Sequence, residues 1–158
     1  MLQLTRKADY GLRLMLAVGG SPSGTTTTAE AAQRQQIPYE FLRKVAQTLV
    51  SHGLLVSERG VRGGFTLARP AETISVLDIV RAFESTALNL CCTDPPRCDR
   101  RDICPVYPIW VEAQSDVERV LGGCRLSSLI DRQAMLDRRG AGRQTTRRAV
   151  LAGAGENA

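Results

Sequence analysis

Two short helices joined by a tight turn and followed by a glycine-tipped hairpin predict a mainly α fold, a winged helix-turn-helix with a two-stranded wing. Farther along, apolar residues in alternating three- and four-residue steps predict a long dimerisation helix. At 158 residues the chain suits one compact unit with an appended element. With 43% hydrophobic but only 4% aromatic residues, its core rests on Leu, Val, Ile and Ala.

The first helix runs from Thr5, a residue suited to capping, to about Gly19, with Ala8, Leu12 and Leu16 on one face. A turn-like SPSGTTTT segment leads to a second helix from Thr27 to Gln35, with Glu30 placed for a capping box. Ile37-Pro38 breaks the chain. A third helix, Tyr39 to His52, sets Phe41, Leu42, Val45 and Leu49 on one face, with Tyr39, Glu40, Arg43, Lys44 and Gln47 mostly on the other. Two strand-like stretches flank a turn holding Gly60, Gly63 and Gly64. Ser75 caps a helix reaching about Glu84. The long helix spans Val106 to Leu121, with Val106, Ile109 or Trp110, Ala113, Val117 and Val120 as its seam. The resulting organisation is a reading domain over 1–84, a cysteine loop over 85–105, two helices over 106–136, and a disordered basic tail over 137–158.

The net charge of +5 suits a polyanionic partner, but five arginines (Arg138, Arg139, Arg143, Arg147 and Arg148) belong to the terminal stretch, so charge alone carries little weight. More informative is the third helix. Tyr39, Arg43, Lys44 and Gln47 are side chains for base edges and phosphates of double-stranded DNA, since arginine and glutamine make bidentate contacts in the major groove. Arg59 and Arg62 at the wing tip suit the negative potential of a narrow minor groove. Read singly, a polar helix face is as readily a solvated face and a glycine hairpin a mere turn; their order and spacing together favour DNA.

No window reaches the roughly 18 apolar residues of a membrane span, and Asp9 and Arg13 interrupt the apolar run of the first helix, so no membrane partner and a cytoplasmic location are expected. In that compartment disulfides are rare, and the five cysteines, four of them between Cys91 and Cys104, read as metal ligands or redox thiols. Cys92, Cys98 and Cys104 stand at C-x5-C-x5-C spacing, with Cys91 beside the first. Thiolates are soft ligands suited to iron-sulfur clusters, whereas structural zinc favours ligand pairs two to four residues apart. Three free redox thiols, or a zinc- or thiol-based regulator without a cluster, are the alternatives. An iron-sulfur electron carrier or an enzyme is disfavoured by the single histidine, His52, and by the lack of any nucleophile-base constellation.

The segments LTRKADYGLRLML, IPYEFLRKVAQTLVSHGLLVSERGVRGGFTLARP and ISVLDIVRAFE, with the triple-cysteine loop, resemble the Rrf-two family of winged-helix regulators over about Met1 to Ile130. The resemblance implies a homodimeric transcription factor whose long helix pairs with its twin and whose cluster state, answering to nitric oxide, redox or iron status, controls promoter binding. In the family's IscR-like branch a histidine follows the last cysteine by three residues, where this chain has Tyr107. In the NsrR-like branch an aspartate of the first helix is a ligand, and Asp9 matches it. The resemblance therefore implies a 4Fe-4S rather than a 2Fe-2S cluster, held by Cys92, Cys98, Cys104 and, from the other subunit, Asp9. Cys91 is an alternative ligand, and Asp94, Asp99 and Asp102 are further loop carboxylates. Read without the family, Asp9 is simply the i,i+4 partner of Arg13. Cys124 reads as a packed residue and His52 as a helix C-terminal group.

Overall fold

The computed structural model describes residues 4–58, 63–92 and 98–153. Helix α1 (Arg6–Gly19) opens on Thr5, whose hydroxyl accepts the Ala8 N–H at 3.3 Å. Helix α2 (Thr28–Gln35) opens on a full capping box: Thr27 Oγ1 accepts the Glu30 N–H at 3.1 Å and Glu30 accepts the Thr27 N–H at 2.8 Å. The Thr27 N–H foremost, and the Thr27 hydroxyl donating to Glu30 Oε2 at 3.0 Å, hold the Glu30 carboxyl below its usual pKa. Gln36, at φ 54, closes α2 in the left-handed region. The chain then turns through buried Ile37 and Pro38 into α3 (Tyr39–Ser51). His52 caps α3 with Nδ1 at 2.9 Å from the Thr48 carbonyl, the C-terminal role expected of it.

Strands β1 (Leu55–Glu58) and β2 (Gly64–Leu67) pair antiparallel, Leu55 opposite Leu67 and Glu58 opposite Gly64. The wing does not stand alone. Thr26 exchanges two backbone hydrogen bonds with Phe65, at 3.1 and 2.9 Å, and its buried hydroxyl donates to the Ala17 carbonyl of α1. The residue before α2 thus pins the wing's root to the helical core.

Helix α4 (Val76–Arg81) has a second capping box, Ser75 with Asp78, and past Arg81 the chain continues in turns that bond back on the helix as far as the expected Glu84, with the Phe83 and Glu84 N–H groups both donating to the Val80 carbonyl at 3.0 and 3.1 Å. Phe83 lies against Gly11 of α1, and the Glu84 carboxylate accepts the Thr5 N–H at 3.0 Å, so this last turn is anchored on α1. Helix α5 (Tyr107–Gly123) carries Pro108 in its first turn, where a missing N–H costs nothing. Helix α6 (Leu126–Gly153) is far longer than expected and replaces the disordered stretch anticipated from Asp137. Between α5 and α6 the chain is stitched to the start of α4: Val76 N–H donates to the Cys124 carbonyl at 3.0 Å, and Leu126 N–H to the Ile74 carbonyl at 2.9 Å.

The core gathers around α1. Leu14, Met15 and Val18 are buried with Leu42 and Leu49 of α3, Leu54, Leu55, Ile74, Ile79 and Leu126. No helix among the described residues is long and apolar enough to cross a membrane.

Gly11 is the tightest point of this packing, since a Cβ there meets Phe83 Cζ at 2.8 Å and clashes harder with Cε2. Gly11→Ala is expected to destabilise the protein by about 1–3 kcal/mol, the usual effect of overpacking, read as a lowered midpoint in thermal unfolding. Gly123→Ala, at a helical position with open space around it, leaves that contact untouched and serves as the comparison; an unchanged midpoint for Gly11→Ala would mean that Phe83 is free to move aside.

Candidate nucleic-acid interface and cysteine loop

Helix α3 turns Leu42, Val45, Ala46 and Leu49 into the core and leaves Tyr39, Glu40, Arg43, Lys44 and Gln47 exposed. Helical spacing puts Tyr39, Arg43 and Gln47 in one row and Glu40 and Lys44 in the next. Arg43 Nε lies 3.3 Å from Glu40 Oε2, an exposed pair of small energetic weight that leaves the guanidinium available. Phe41, expected in the core, is instead 37% exposed, set edge-on to Tyr10 with ring centroids 5.3 Å apart.

The wing root and both helix starts face one groove. Thr27, Thr28 and Ala29 at the start of α2, Tyr39 at the start of α3, and Ser57, Glu58, Gly63 and Phe65 of the hairpin line a space of about 280 Å³. Thr28 and Ser57 escaped the sequence reading because neither belongs to α3, although the capping threonine marked the helix start beside them. First-turn N–H groups of a helix lack internal acceptors and suit an anion such as phosphate. Arg59 and Arg62 lie outside the described residues.

The cysteine loop joins α4 to α5 through two single 3-10 turns, Leu90–Cys92 and Arg101–Ile103. All five cysteines are free thiols; Cys91 is exposed, and Cys92, Cys98, Cys104 and Cys124 are half-buried. Cys91 Sγ lies 3.5 Å from Cys92 Sγ and 3.1 Å from Asn89 Oδ1. The Cys92 thiol is pushed up from 9.0 to about 11 by its withdrawal from water, by the hydrogen bond with Cys91, and by negative charge at Cys91, Cys104 and Cys98. Cys92 therefore feels the charge of the other loop cysteines.

Such a set matches an acceptor for iron in donor chemistry, because a cation shared among crowded thiolates removes the repulsion that keeps them protonated. Within one protomer the set is incomplete: among the described residues no three His, Cys, Asp or Glu side chains converge as a metal site. Asp9 is half-exposed on the outer face of α1 and pairs with Arg13 at 3.0 Å. Asp102 pairs with Arg101 at 3.4 Å, Asp99 is exposed, and Asp94 lies outside the described residues. Tyr107 occupies the first turn of α5, and Cys124 lies at the helix's other end.

A helical core presenting one polar helix beside a glycine-rooted hairpin defines a winged helix-turn-helix protein. Residues 4–132 match the Rrf2 family of iron-dependent transcriptional regulators, and the chain belongs to that family. Its members are DNA-binding regulators rather than enzymes. It is 34% identical to the protein rrf2 of Nitratidesulfovibrio vulgaris over 132 residues, covering 82% of this chain and 87% of that one. Among solved structures it resembles CymR, the global cysteine regulator of B. subtilis, with a TM-score of 0.67 and 25% identity over 83% of this chain and 98% of the other. T. potens IscR is equally similar, with a TM-score of 0.67 and 26% identity over 84% and 88%.

The crowded thiols predict a pH profile. Since the fold favours the neutral form of Cys92, stability from this group is present below pH 9 and is lost as pH rises toward about 11. In metal-free protein the alkylation rate of Cys92, followed by peptide mass spectrometry, should keep climbing past pH 9 and level only near 11. A plateau near 9 would show that the other thiols do not crowd it.

Proposed function

We propose that the chain is a homodimeric transcriptional regulator whose affinity for promoter DNA is set by an iron-sulfur cluster on Cys92, Cys98 and Cys104, completed by Asp9 of the partner subunit. The single observation that carries the reading is the presence of three half-buried, unbridged cysteines in one loop of a protein whose α3 leaves a polar face exposed. The cluster would supply a chemically reactive centre for nitric oxide, oxidants or iron supply, and a four-iron form suits three thiolates with a carboxylate. Tyr39, Arg43, Lys44 and Gln47 would enter the major groove, with Arg59 and Arg62 beside it.

Two features support the dimer. Helix α5 leaves Ile109 62% and Val120 61% exposed on one face with Trp110, 39% exposed, at its edge, large apolar groups that a second copy of α5 would cover. Asp9, paired with Arg13 on the outer face of α1, would join the cysteines of a second copy.

The test is anaerobic purification, with visible absorption, iron and sulfide content, and promoter affinity measured before and after cluster removal. Replacing Cys92, Cys98 or Cys104 by Ala should abolish the cluster, and Asp9→Ala should change its spectrum and lifetime. An unchanged affinity on removal would refute the switch. Protein free of sulfide would favour a second reading, regulation through thiol oxidation, for which the 3.5 Å approach of Cys91 and Cys92 speaks.

For the DNA face, Gln47→Ala should cost about 1–3 kcal/mol and relax base preference, while Lys44→Ala should weaken all sequences alike and flatten the salt dependence. Equal effects on every sequence from both variants would remove Gln47 from base reading. For the dimer, Trp110→Glu should shift the sedimentation of the protein from dimer to monomer; a monomeric wild type would refute the pairing.

A further inference from the structure

Gln114, halfway along α5, belongs to neither the reading face nor the cysteine set, yet three hydrogen bonds converge on it. Its Oε1 accepts the Leu88 N–H at 2.9 Å, and its Nε2 donates to the Thr86 carbonyl at 3.2 Å and to Glu118 Oε1 at 2.8 Å. Glu118 Oε1 in turn accepts from Arg81 Nη2 at 2.7 Å, at the end of α4. One carboxamide thus grips an N–H and a C=O two residues apart on the same stretch of loop. Only a primary amide offers that pairing of acceptor and donor: leucine has neither, and a carboxylate cannot donate.

The grip lies just upstream of the first ligand cysteine. From Leu88 the chain passes to Asn89, whose side chain accepts the Cys91 N–H at 3.2 Å and whose carbonyl accepts the Cys92 N–H at 3.1 Å. Fixing Leu88 therefore fixes the turn that aims Cys91 and Cys92. Cys92 lines the same open cavity of about 750 Å³ as Gln114, Glu118, Thr86 and Arg81, so the clamp and the thiol face one another across it. Thr86 is only 6% exposed, where an unpaired carbonyl would be costly.

We infer that Gln114 is the positioning residue of the cysteine loop, holding Cys92 in place from the helix that bears the apolar seam. The inference deepens the proposed function and rests on it where the cluster is concerned. Groups that orient metal ligands from behind typically change metal affinity by 10–100-fold when removed. Here the lever also couples sites, because a shift of the loop at Leu88 on cluster loss would reach α5 through Gln114, beside the direct link from Cys104 to the start of that helix.

The experiment compares full-length wild type, Gln114→Leu and Glu118→Gln. In loaded protein, cluster loss to an iron chelator should be about tenfold faster or more in Gln114→Leu, with an altered visible circular dichroism band. Glu118→Gln, which keeps both bonds from Gln114 to the loop, should stay close to wild type. In metal-free protein, labelling of Cys92 by a fluorescent maleimide, relative to Cys124 in the same molecule, should rise several-fold in Gln114→Leu. Identical cluster lifetime and an identical labelling ratio in wild type and Gln114→Leu would overturn the inference while leaving the proposed function standing. A wild type that holds no cluster would sink the proposed function, and the labelling ratio alone would then decide on the clamp. If Gln114→Leu does not fold, Gln114→Glu, which keeps the acceptor and loses the donor, takes its place with the same expectations.

Discussion

Burial of one face of α1 is the constraint on which the rest of the structure depends. Leu14, Met15 and Val18 are almost wholly withdrawn from water, and around them rest α2, α3, β2, α4 and α6. Each fully buried side chain of this kind contributes about 1.5–3 kcal/mol from removal of apolar surface. The helix that organises the reading half also carries Asp9 on its outer face. A ligand bond to Asp9 would therefore pull on the element that seats α3.

The second half of the molecule is joined to the first by backbone as well as by packing. Hydrogen bonds from Val76 to Cys124 and from Leu126 to Ile74 seam the α5–α6 junction to the start of α4. The Arg81–Glu118 pair adds a link farther along, though both groups are about half-exposed and the pair itself contributes little. The result is that α5 leaves the reading half at a set angle with its apolar row exposed. In a pairing of two copies, that angle would set the spacing between the two α3 helices.

In the loop, the chemistry of ionisation and the chemistry of metal binding oppose each other. Crowding raises the Cys92 thiol toward about 11, so without a cation the site favours protonated sulfur. A cluster bound there must displace those protons, which makes assembly pH-dependent and loss of the cluster a return to neutral thiols. Gln114 and Asn89 hold the backbone in the meantime with neutral hydrogen bonds that do not depend on the state of the sulfur.

What could be read from the chain alone was short-range. Thr27 with Glu30 and Ser75 with Asp78 announce helix starts because their bonds span three residues. The exposed row of Tyr39, Arg43 and Gln47 follows from helical periodicity, and the cysteine spacing is visible without any fold. The anchoring of the turn after α4 was not legible because Phe83 and Glu84 answer to Gly11 and Thr5, more than seventy residues earlier, and periodicity carries no record of such partners. The length of α6 was misjudged for the opposite reason: an apolar stripe reports packing, and the helix runs on past the stripe's end. Gln114 was invisible for the first reason again, since its partners Thr86 and Leu88 lie 28 and 26 residues away and a lone glutamine on a helix carries no signal. Sequence by itself determined the helix starts, the exposed polar face of α3 and the identity of the thiols, all set by neighbours within a turn or two. Only the tertiary structure decided where the loop is held, which face of α1 is free and how α5 departs, because those depend on which distant groups meet when apolar surface is buried.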